Sequence, residues 1–273
     1  MRRLLLPLAA LAIVSGCGGQ YIVTAPDQIA PVGGRASVVA RLTRNEISRL
    51  DVPVKRAALE FTVPDSDALR AAFTDSDGFA GAIVPAPDAA GLYEVCIRHQ
   101  DVWGDRCQGA ARLFVWEPDR PAVAVDVAAL PAPDEAEAGV AVRAMKRIAS
   151  EANILYFTQD GVADHAELRT ALHLAGYPDG PVLPWLKRRW RLTREGRWSW
   201  PRLTFDPRMV GPLQQLREAI PALRSGICVA PAAAKAFTGA EMQVVAVGEA
   251  DDLPGDARRT SWAEIARTGL GAP

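Results

Sequence analysis

The 273-residue sequence predicts a multidomain chain, an all-β sandwich followed by a three-layer α/β domain. Between residues 20 and 116, short runs that mostly alternate apolar and polar residues are separated by turn sequences such as Pro-Asp-Ser-Asp, which is typical of a sandwich. From residue 117 onward, apolar strand-like runs alternate with segments of helical spacing, which indicates a parallel sheet with helical crossovers. Residues 1–19 form a separate N-terminal segment.

The N-terminal segment has the composition of an export signal. Arg2 and Arg3 precede an apolar run, Leu4 to Val14, that has the length of a signal-peptide core and is too short to span a bilayer alone. The following Ser-Gly-Cys17 completes a match to the bacterial lipobox, in which the cysteine is lipidated and becomes the mature N-terminus. We therefore expect an extracytoplasmic protein anchored in the cell envelope through Cys17, on the periplasmic or outer-membrane face. An ordinary secretory signal with a chance cysteine is the alternative.

The net charge argues against one class of partner, and the cysteines indicate the compartment. The 31 basic and 32 acidic residues nearly cancel, so no global attraction to nucleic acid is expected. Cys96 and Cys107 flank a plausible hairpin loop, and a disulfide between them would fit an oxidising compartment. Cys228 lies in an apolar run and is interpreted as a buried thiol.

The first domain is predicted from six strand-like runs. They lie within residues 21–24, 36–42, 58–63, 81–84, 91–98 and 111–116. The turn Thr74-Asp-Ser-Asp-Gly78 and the later Gly91-Leu-Tyr93 resemble bacterial immunoglobulin-like domains, in which such a tyrosine forms a tyrosine corner. The resemblance implies an Ig-like sandwich over residues 20–116 that acts as a spacer or binding module. Asp75 and Asp77 are interpreted as turn residues; a calcium site is the alternative, although the other EF-hand ligands are absent.

The second domain is predicted from alternating strands and helices. Strands are expected at 120–126, 153–158, 224–230 and 242–248, and helices near 140–149, 164–173, 209–220, 232–240 and 261–266. The first of these strands ends on Asp126, and in an open α/β sheet that geometry places a carboxylate at the edge where ligands bind.

The same segments resemble the haloacid-dehalogenase-like (HAD) phosphohydrolases. The strand ending at Asp126 is similar to their first motif, a hydrophobic strand followed by Asp-x-Asp-x-Thr. The strand ending at Thr158, a helix, and the run from Ala175 to Leu183 look like the lipin and phosphatidate-phosphatase branch. The resemblance implies a HAD-like domain over residues 117–273, in which Asp126 is the nucleophile and a Mg²⁺ ligand and Thr158 contacts the phosphoryl group. An unrelated doubly wound fold is the alternative for the domain, and capping of the next turn is the alternative for Asp126.

Several groups that this chemistry requires are missing or ambiguous. Ala128 occupies the position of the acid that protonates the leaving group, and the segment after Cys228, at the fourth motif, contains no carboxylate. The candidates for the basic group are Arg208, Lys187 and Lys235. If the last two strands were misaligned, the missing acids would be Glu249, Asp251 and Asp252.

Residues 184–202 form a basic, tryptophan-rich segment with seven basic residues, four tryptophans and a single acid. Such a surface suits anionic lipid head groups or another phosphorylated ligand. The candidate binding residues are Lys187, Arg188, Arg189, Trp190, Arg191 and Trp198. The structural alternative is a flap whose tryptophans pack on the sheet beneath stacked arginines. Single-stranded nucleic acid is disfavoured by the extracytoplasmic address.

Together these features predict a cell-envelope lipoprotein with a non-catalytic HAD-like domain that acts in binding or scaffolding and needs no cofactor. The alternative is a HAD-type phosphohydrolase that uses Mg²⁺ and acts on a phospholipid or another phosphomonoester. The sequence identifies no protein partner.

Overall fold

The structure is a computed structural model that describes residues 20–46, 49–63, 69–158, 165–184, 210–248 and 253–270. Within these ranges the chain consists mostly of β-strands in several sheets, with some helices. Cys17, Arg208 and the binding residues predicted between 187 and 198 lie outside the described residues. None of the described helices is both long and apolar enough to cross a membrane.

Nine strands occupy the described residues before Glu117. They are β1 (Gln20–Thr24), β2 (Gln28–Pro31), β3 (Arg35–Glu46), β4 (Arg49–Pro53), β5 (Ala58–Thr62), β6 (Leu69–Phe73), β7 (Phe79–Pro85), β8 (Gly91–Gln100) and β9 (Arg106–Trp116). In one sheet, β3 pairs antiparallel with β1, β4 and β7. The other sheet has the order β2-β9-β8-β5-β6.

The two sheets share one apolar core. Its side chains come from alternate positions of strands in both sheets, because successive side chains of a strand point to opposite faces. Fully buried examples are Val38, Leu42, Phe61, Ile97 and Leu113. The sequence predicts the six strands that contribute most of this core but misses β2, β4 and β6. These three are four or five residues long and contain proline, aspartate or several alanines, so they depend on pairing with a neighbour rather than on their own β-propensity.

Two turn interpretations from the sequence agree with the contacts. The Tyr93 hydroxyl donates to the carbonyl oxygen of Ala89 at 2.9 Å, as a tyrosine corner requires. Asp75 Oδ1 accepts hydrogen bonds from the backbone N–H groups of Asp77 at 2.8 Å and Phe79 at 2.9 Å. Asp75 therefore closes a turn through its own side chain.

The expected disulfide between Cys96 and Cys107 is wrong, because both thiols are free. The β8–β9 hairpin pairs Cys107 with His99 and Cys96 with Ala110. The two cysteines are therefore about 10 Å apart along the strands. Because His99 and Cys96 are an odd number of residues apart, the cysteines also lie on opposite faces of the sheet. A disulfide requires Cβ atoms within about 4.5 Å.

The rest of the described chain forms a parallel sheet with helices. Its elements are β10 (Ala122–Asp126), α1 (Ala138–Glu151), β11 (Asn153–Thr158), α2 (His165–Leu174), β12 (Val182–Pro184), α3 (Val210–Ala219), β13 (Leu223–Cys228), α4 (Pro231–Gly239), β14 (Gln243–Val247), β15 (Arg258–Thr260) and α5 (Trp262–Thr268). The strand order is β12-β11-β10-β13-β14-β15, with every pair parallel. This is a doubly wound order whose direction reverses between β10 and β13.

Successive side chains of β10 point to opposite faces of this sheet and pack in two different clusters. Val123 and Val125 pack in the cluster formed with α1, α2 and α5, and α1 contributes apolar residues at helical spacing. Ala122 and Ala124 pack in the cluster formed with α3 and α4, which also contains Trp116 of β9. The first region of the chain therefore packs directly against one face of the parallel sheet.

A buried carboxylate joins the two regions. Asp27, with no exposed surface, accepts hydrogen bonds from Arg169 Nη1 at 2.7 Å and from the backbone N–H of Val182 at 2.9 Å. Arg112 lies 4.0 Å from the same carboxylate and donates to both carboxylate oxygens of Asp179. Burial raises the pKa of Asp27, and the two arginines and the Val182 N–H oppose that rise.

Candidate functional site

Three predicted residues lie at the carboxyl edge of the parallel sheet. Asp126 ends β10, Thr158 ends the neighbouring β11, and Cys228 ends β13 on the other side. Parallel strands end at the same edge, so tertiary structure brings these three residues to one place. The reversal of strand order between β10 and β13 is also the point at which open α/β sheets form a ligand crevice.

Asp126 is buried, and its two carboxylate oxygens differ in their hydrogen bonding. The side chain is 1% exposed. Its Oδ1 accepts a hydrogen bond from the backbone N–H of Ala128 at 3.1 Å and so caps the 3-10 turn Val127–Ala129. Its Oδ2 has no hydrogen-bond partner among the described residues. Turn capping, the alternative drawn from the sequence, accounts for one oxygen only.

The environment of Asp126 makes its ionisation less favourable. Burial raises the pKa of this carboxyl from 3.8 to about 6, and the hydrogen bond from Ala128 only partly opposes the rise. At pH 7 the group is still mostly ionised. Burial and the nearby Asp126 charge raise the pKa of the Cys228 thiol to about 12, so this cysteine is an inert core thiol rather than a nucleophile.

Two further buried residues lie on the elements that come after Asp126 in the chain, β11 and α2. Thr158 is buried at the end of β11, one strand from Asp126. His165, to which the sequence assigned no role, is buried at the first position of α2. Nothing in the local sequence marks His165, because its burial depends on the packing of α2 after β11.

The turn from β13 into α4 adds backbone donors at this edge. Ala230 is the N-cap of α4 and makes no side-chain capping hydrogen bond, and Pro231 occupies the first turn. Because Pro231 has no N–H and the Ala234 N–H donates to the Ala230 carbonyl at 3.1 Å, the first-turn donors without a partner within the helix are the N–H groups of Ala232 and Ala233, which carry partial positive charge. Lys235, a candidate for the basic group, is exposed on the same helix.

The strand order shows which segment follows the strand beside Asp126. β13 pairs directly with β10, whereas β14 pairs with β13 and lies one strand farther away. The strand beside Asp126 is therefore the one that leads into Cys228-Val-Ala-Pro, which carries no carboxylate. The acids at 249, 251 and 252, which follow β14, lie outside the described residues.

The described residues do not make up a magnesium site. Within them, no group of three or more His, Cys, Asp or Glu side chains is placed to hold a metal ion. Mg²⁺ prefers six oxygen ligands in near-octahedral geometry. Asp126 and Thr158 alone do not provide such a shell.

A cavity of about 670 Å³ lies at the opposite edge of the parallel sheet. Its lining includes Pro121 and Ala122 at the start of β10, Glu151 at the end of α1, and Arg224 near the start of β13. It contains none of the residues predicted to form a functional site.

No protein-family model matches the chain, and no curated protein matches it. Solved structures that are weakly similar to it include a HAD-family phosphatase, the D,D-heptose bisphosphate phosphatase from B. bronchiseptica complexed with magnesium and phosphate. That alignment has 13% identity and a TM-score of 0.37, and covers 54% of this chain and 96% of the phosphatase. Tandem Ig repeats of Dlar align with 13% identity and a TM-score of 0.27, over 41% of this chain and 61% of theirs. A carbohydrate acetylesterase from Xanthomonas citri aligns with 10% identity and a TM-score of 0.37, over 90% of this chain and 73% of its own. These likenesses are partial and identify no family for this chain.

Proposed function

We propose that the chain is a lipid-anchored protein of the cell envelope whose parallel-sheet domain, HAD-like by the resemblance above, binds a ligand and does not turn it over. The observation that carries this proposal is the contact between Asp126 and Ala128. The residue two positions after the aspartate offers only its backbone N–H to Oδ1, at 3.1 Å. Its methyl side chain has no proton to transfer.

The chemical consequence is a slow or absent reaction. Phosphoryl transfer from a phosphomonoester to Asp126 would require protonation of the leaving alcohol, and a positioned general acid typically contributes about 10² to 10⁴ to the rate. One Asp126 oxygen is also held by the capping hydrogen bond. The binding proposal therefore rests on Asp126, which lies at the edge where open α/β sheets bind ligands and has no proton donor two residues later.

The ligand class that fits this edge is an anionic or phosphorylated group. The uncapped first turn of α4 offers backbone N–H donors, which is the arrangement that binds phosphate and sulfate at helix N-termini. Asp126 modulates such a site through its charge. An ionised Asp126 repels an anion, whereas a protonated Asp126 removes that repulsion, and its pKa of about 6 places the change near neutrality.

Turnover is tested with the full chain and Mg²⁺, using a general phosphomonoester and phosphatidic acid as substrates. We expect neither the wild type nor Asp126→Asn to turn over either substrate above background. Asp119→Asn, an exposed carboxylate that precedes β10 at the opposite edge, is the matched control. Turnover that is lost in Asp126→Asn and retained in Asp119→Asn would overturn the proposal in favour of the phosphohydrolase.

Ligand binding is tested by titration with sulfate, whose charge is constant between pH 5 and 8. We expect wild-type affinity to increase by about tenfold as pH falls through about 6, and Asp126→Asn to bind with the higher affinity at every pH. A wild-type affinity that does not change with pH, or no binding by either protein, would contradict an anion site at Asp126.

The phosphohydrolase is retained as the second candidate because of one observation. Asp126 Oδ2 is buried and has no hydrogen-bond partner within the described ranges, and a buried carboxyl with a raised pKa is a feature that catalytic groups share. The turnover experiment separates the two functions.

A further inference from the structure

The tip of the β8–β9 hairpin exposes two apolar side chains. Val102 is 92% exposed and Trp103 is 88% exposed, which are the highest values among the large apolar residues of the described chain. A fully hydrated tryptophan on a soluble surface leaves a large apolar area in water, and this residue type is enriched at membrane–water interfaces.

The tip is held in one conformation by Asp101. Its Oδ1 accepts hydrogen bonds from the backbone N–H groups of Trp103 at 2.8 Å and Asp105 at 2.9 Å. The Asp101 N–H donates to the carbonyl of Asp105 at 2.9 Å, and Gly104 closes the turn with a φ of 90°. The exposed pair therefore projects from an ordered turn, so little conformational entropy is lost when it meets a partner surface.

The described chain begins beside this tip. The Tyr21 hydroxyl donates to Asp101 Oδ2 at 3.2 Å, and the Tyr21 ring packs edge-on against His99, with ring centroids 5.1 Å apart. Farther from the tip, the position of a Cβ on Gly109 would be 2.8 Å from Val23. From Val23 back to Tyr21, β1 thus runs toward the hairpin tip. Cys17 precedes Gln20 by three residues, so the covalent chain keeps their Cα atoms within about 11 Å of each other.

We propose that the Val102–Trp103 tip is a second membrane contact, which lies against the lipid bilayer beside the N-terminal anchor and orients the first region of the chain. This inference rests on the proposed lipid anchor at Cys17. A lipid tether limits the distance of a protein from the membrane but leaves its rotation free, whereas a second contact close to the tether selects one orientation. The flanking charged residues are Asp101, Asp105 and Arg106, which together carry a net charge of −1, so the tip presents no basic cluster to anionic head groups. The contact is therefore apolar and does not require anionic lipid.

The experiment uses the full lipid-modified chain reconstituted in phosphatidylcholine vesicles. The Trp103 fluorescence is obtained as the difference between wild type and Trp103→Phe. We expect lipids brominated in the acyl chain to reduce this signal at least about twofold, and aqueous iodide to leave it largely unchanged. The control is Leu174→Trp in the Trp103→Phe background. Leu174 is 80% exposed and shares a cavity with Leu92, at the opposite end of the hairpin, so a tryptophan there should respond to iodide only.

Each result decides one claim. Iodide quenching of Trp103 without quenching by brominated lipid would overturn the membrane contact. Protection of Trp103 from iodide in detergent, without vesicles, would also overturn it, because a protein surface would then cover the tip. Acyl groups on Cys17 are measured independently by mass spectrometry of the N-terminal peptide. A lipidated chain with a hydrated Trp103 overturns the hairpin contact alone, and an unmodified Cys17 overturns the anchor and the contact together.

Discussion

Replacement of Asp126 by asparagine tests how strongly burial penalises this carboxylate. The pKa of Asp126 rises from 3.8 to about 6 on folding. Between these two values the folded chain holds a proton that the unfolded chain has released, so the free energy of unfolding falls as pH rises through this window. A shift of about two pKa units corresponds to about 3 kcal/mol of stability that is present at low pH and absent above pH 6.

Asparagine has no such titration. Its Oδ1 retains the hydrogen bond from Ala128, whereas its Nδ2 becomes a buried donor at a position where Oδ2 has no partner among the described residues. That unpaired donor destabilises the variant by about 1 to 3 kcal/mol, equally at every pH. The ionisation of Asp126 is therefore tested by how the difference in stability between the two proteins changes with pH, and not by the stability of the variant at any one pH.

The assay is urea unfolding of both proteins between pH 4 and 8. We expect the stability of Asp126→Asn relative to wild type to increase by about 2 to 3 kcal/mol over this range. Asp119→Asn, which changes an exposed carboxylate, should give a curve parallel to that of the wild type. Parallel curves for Asp126→Asn would refute the reasoning, because they would mean that Asp126 ionises as freely as a hydrated carboxyl.

Gly226→Ala should destabilise the fold by about 2 kcal/mol in urea unfolding, because its Cβ would lie 2.4 Å from a buried aromatic ring of α4. Gly255→Ala, whose Cβ meets nothing within 4 Å, should leave the midpoint unchanged, and equal effects would refute the packing argument. Asp27→Ala should lower stability by about 3 kcal/mol, because it leaves a partly buried arginine and a buried backbone N–H without their acceptor; a loss below about 1 kcal/mol would contradict this. Alkylation of the denatured, unreduced chain should modify both Cys96 and Cys107 by mass spectrometry, and a peptide pair linked through them would contradict the hairpin register.

Local sequence patterns were sufficient to predict an element when its apolar pattern lies entirely within that element. The spacing of Ala141, Ala144, Met145 and Ile148 defines the buried face of α1, and the run that ends on Asp126 defines β10. Edge strands such as β6 and β15 escaped prediction because their stability comes from a neighbour distant in sequence.

The sequence by itself therefore determined the longer strands and the helices in their order, the placement of Asp126 and Thr158 at strand ends, and the alanine at position 128. Tertiary structure alone decided that β13 lies beside β10, that Cys96 and Cys107 face opposite sides of their sheet, and that one Asp126 oxygen is buried without a partner in the described part of the chain. The physical reason is that strand order, register and desolvation depend on contacts between residues far apart in the chain. Periodicity and residue type report only which face of an element is apolar, and not what that face meets.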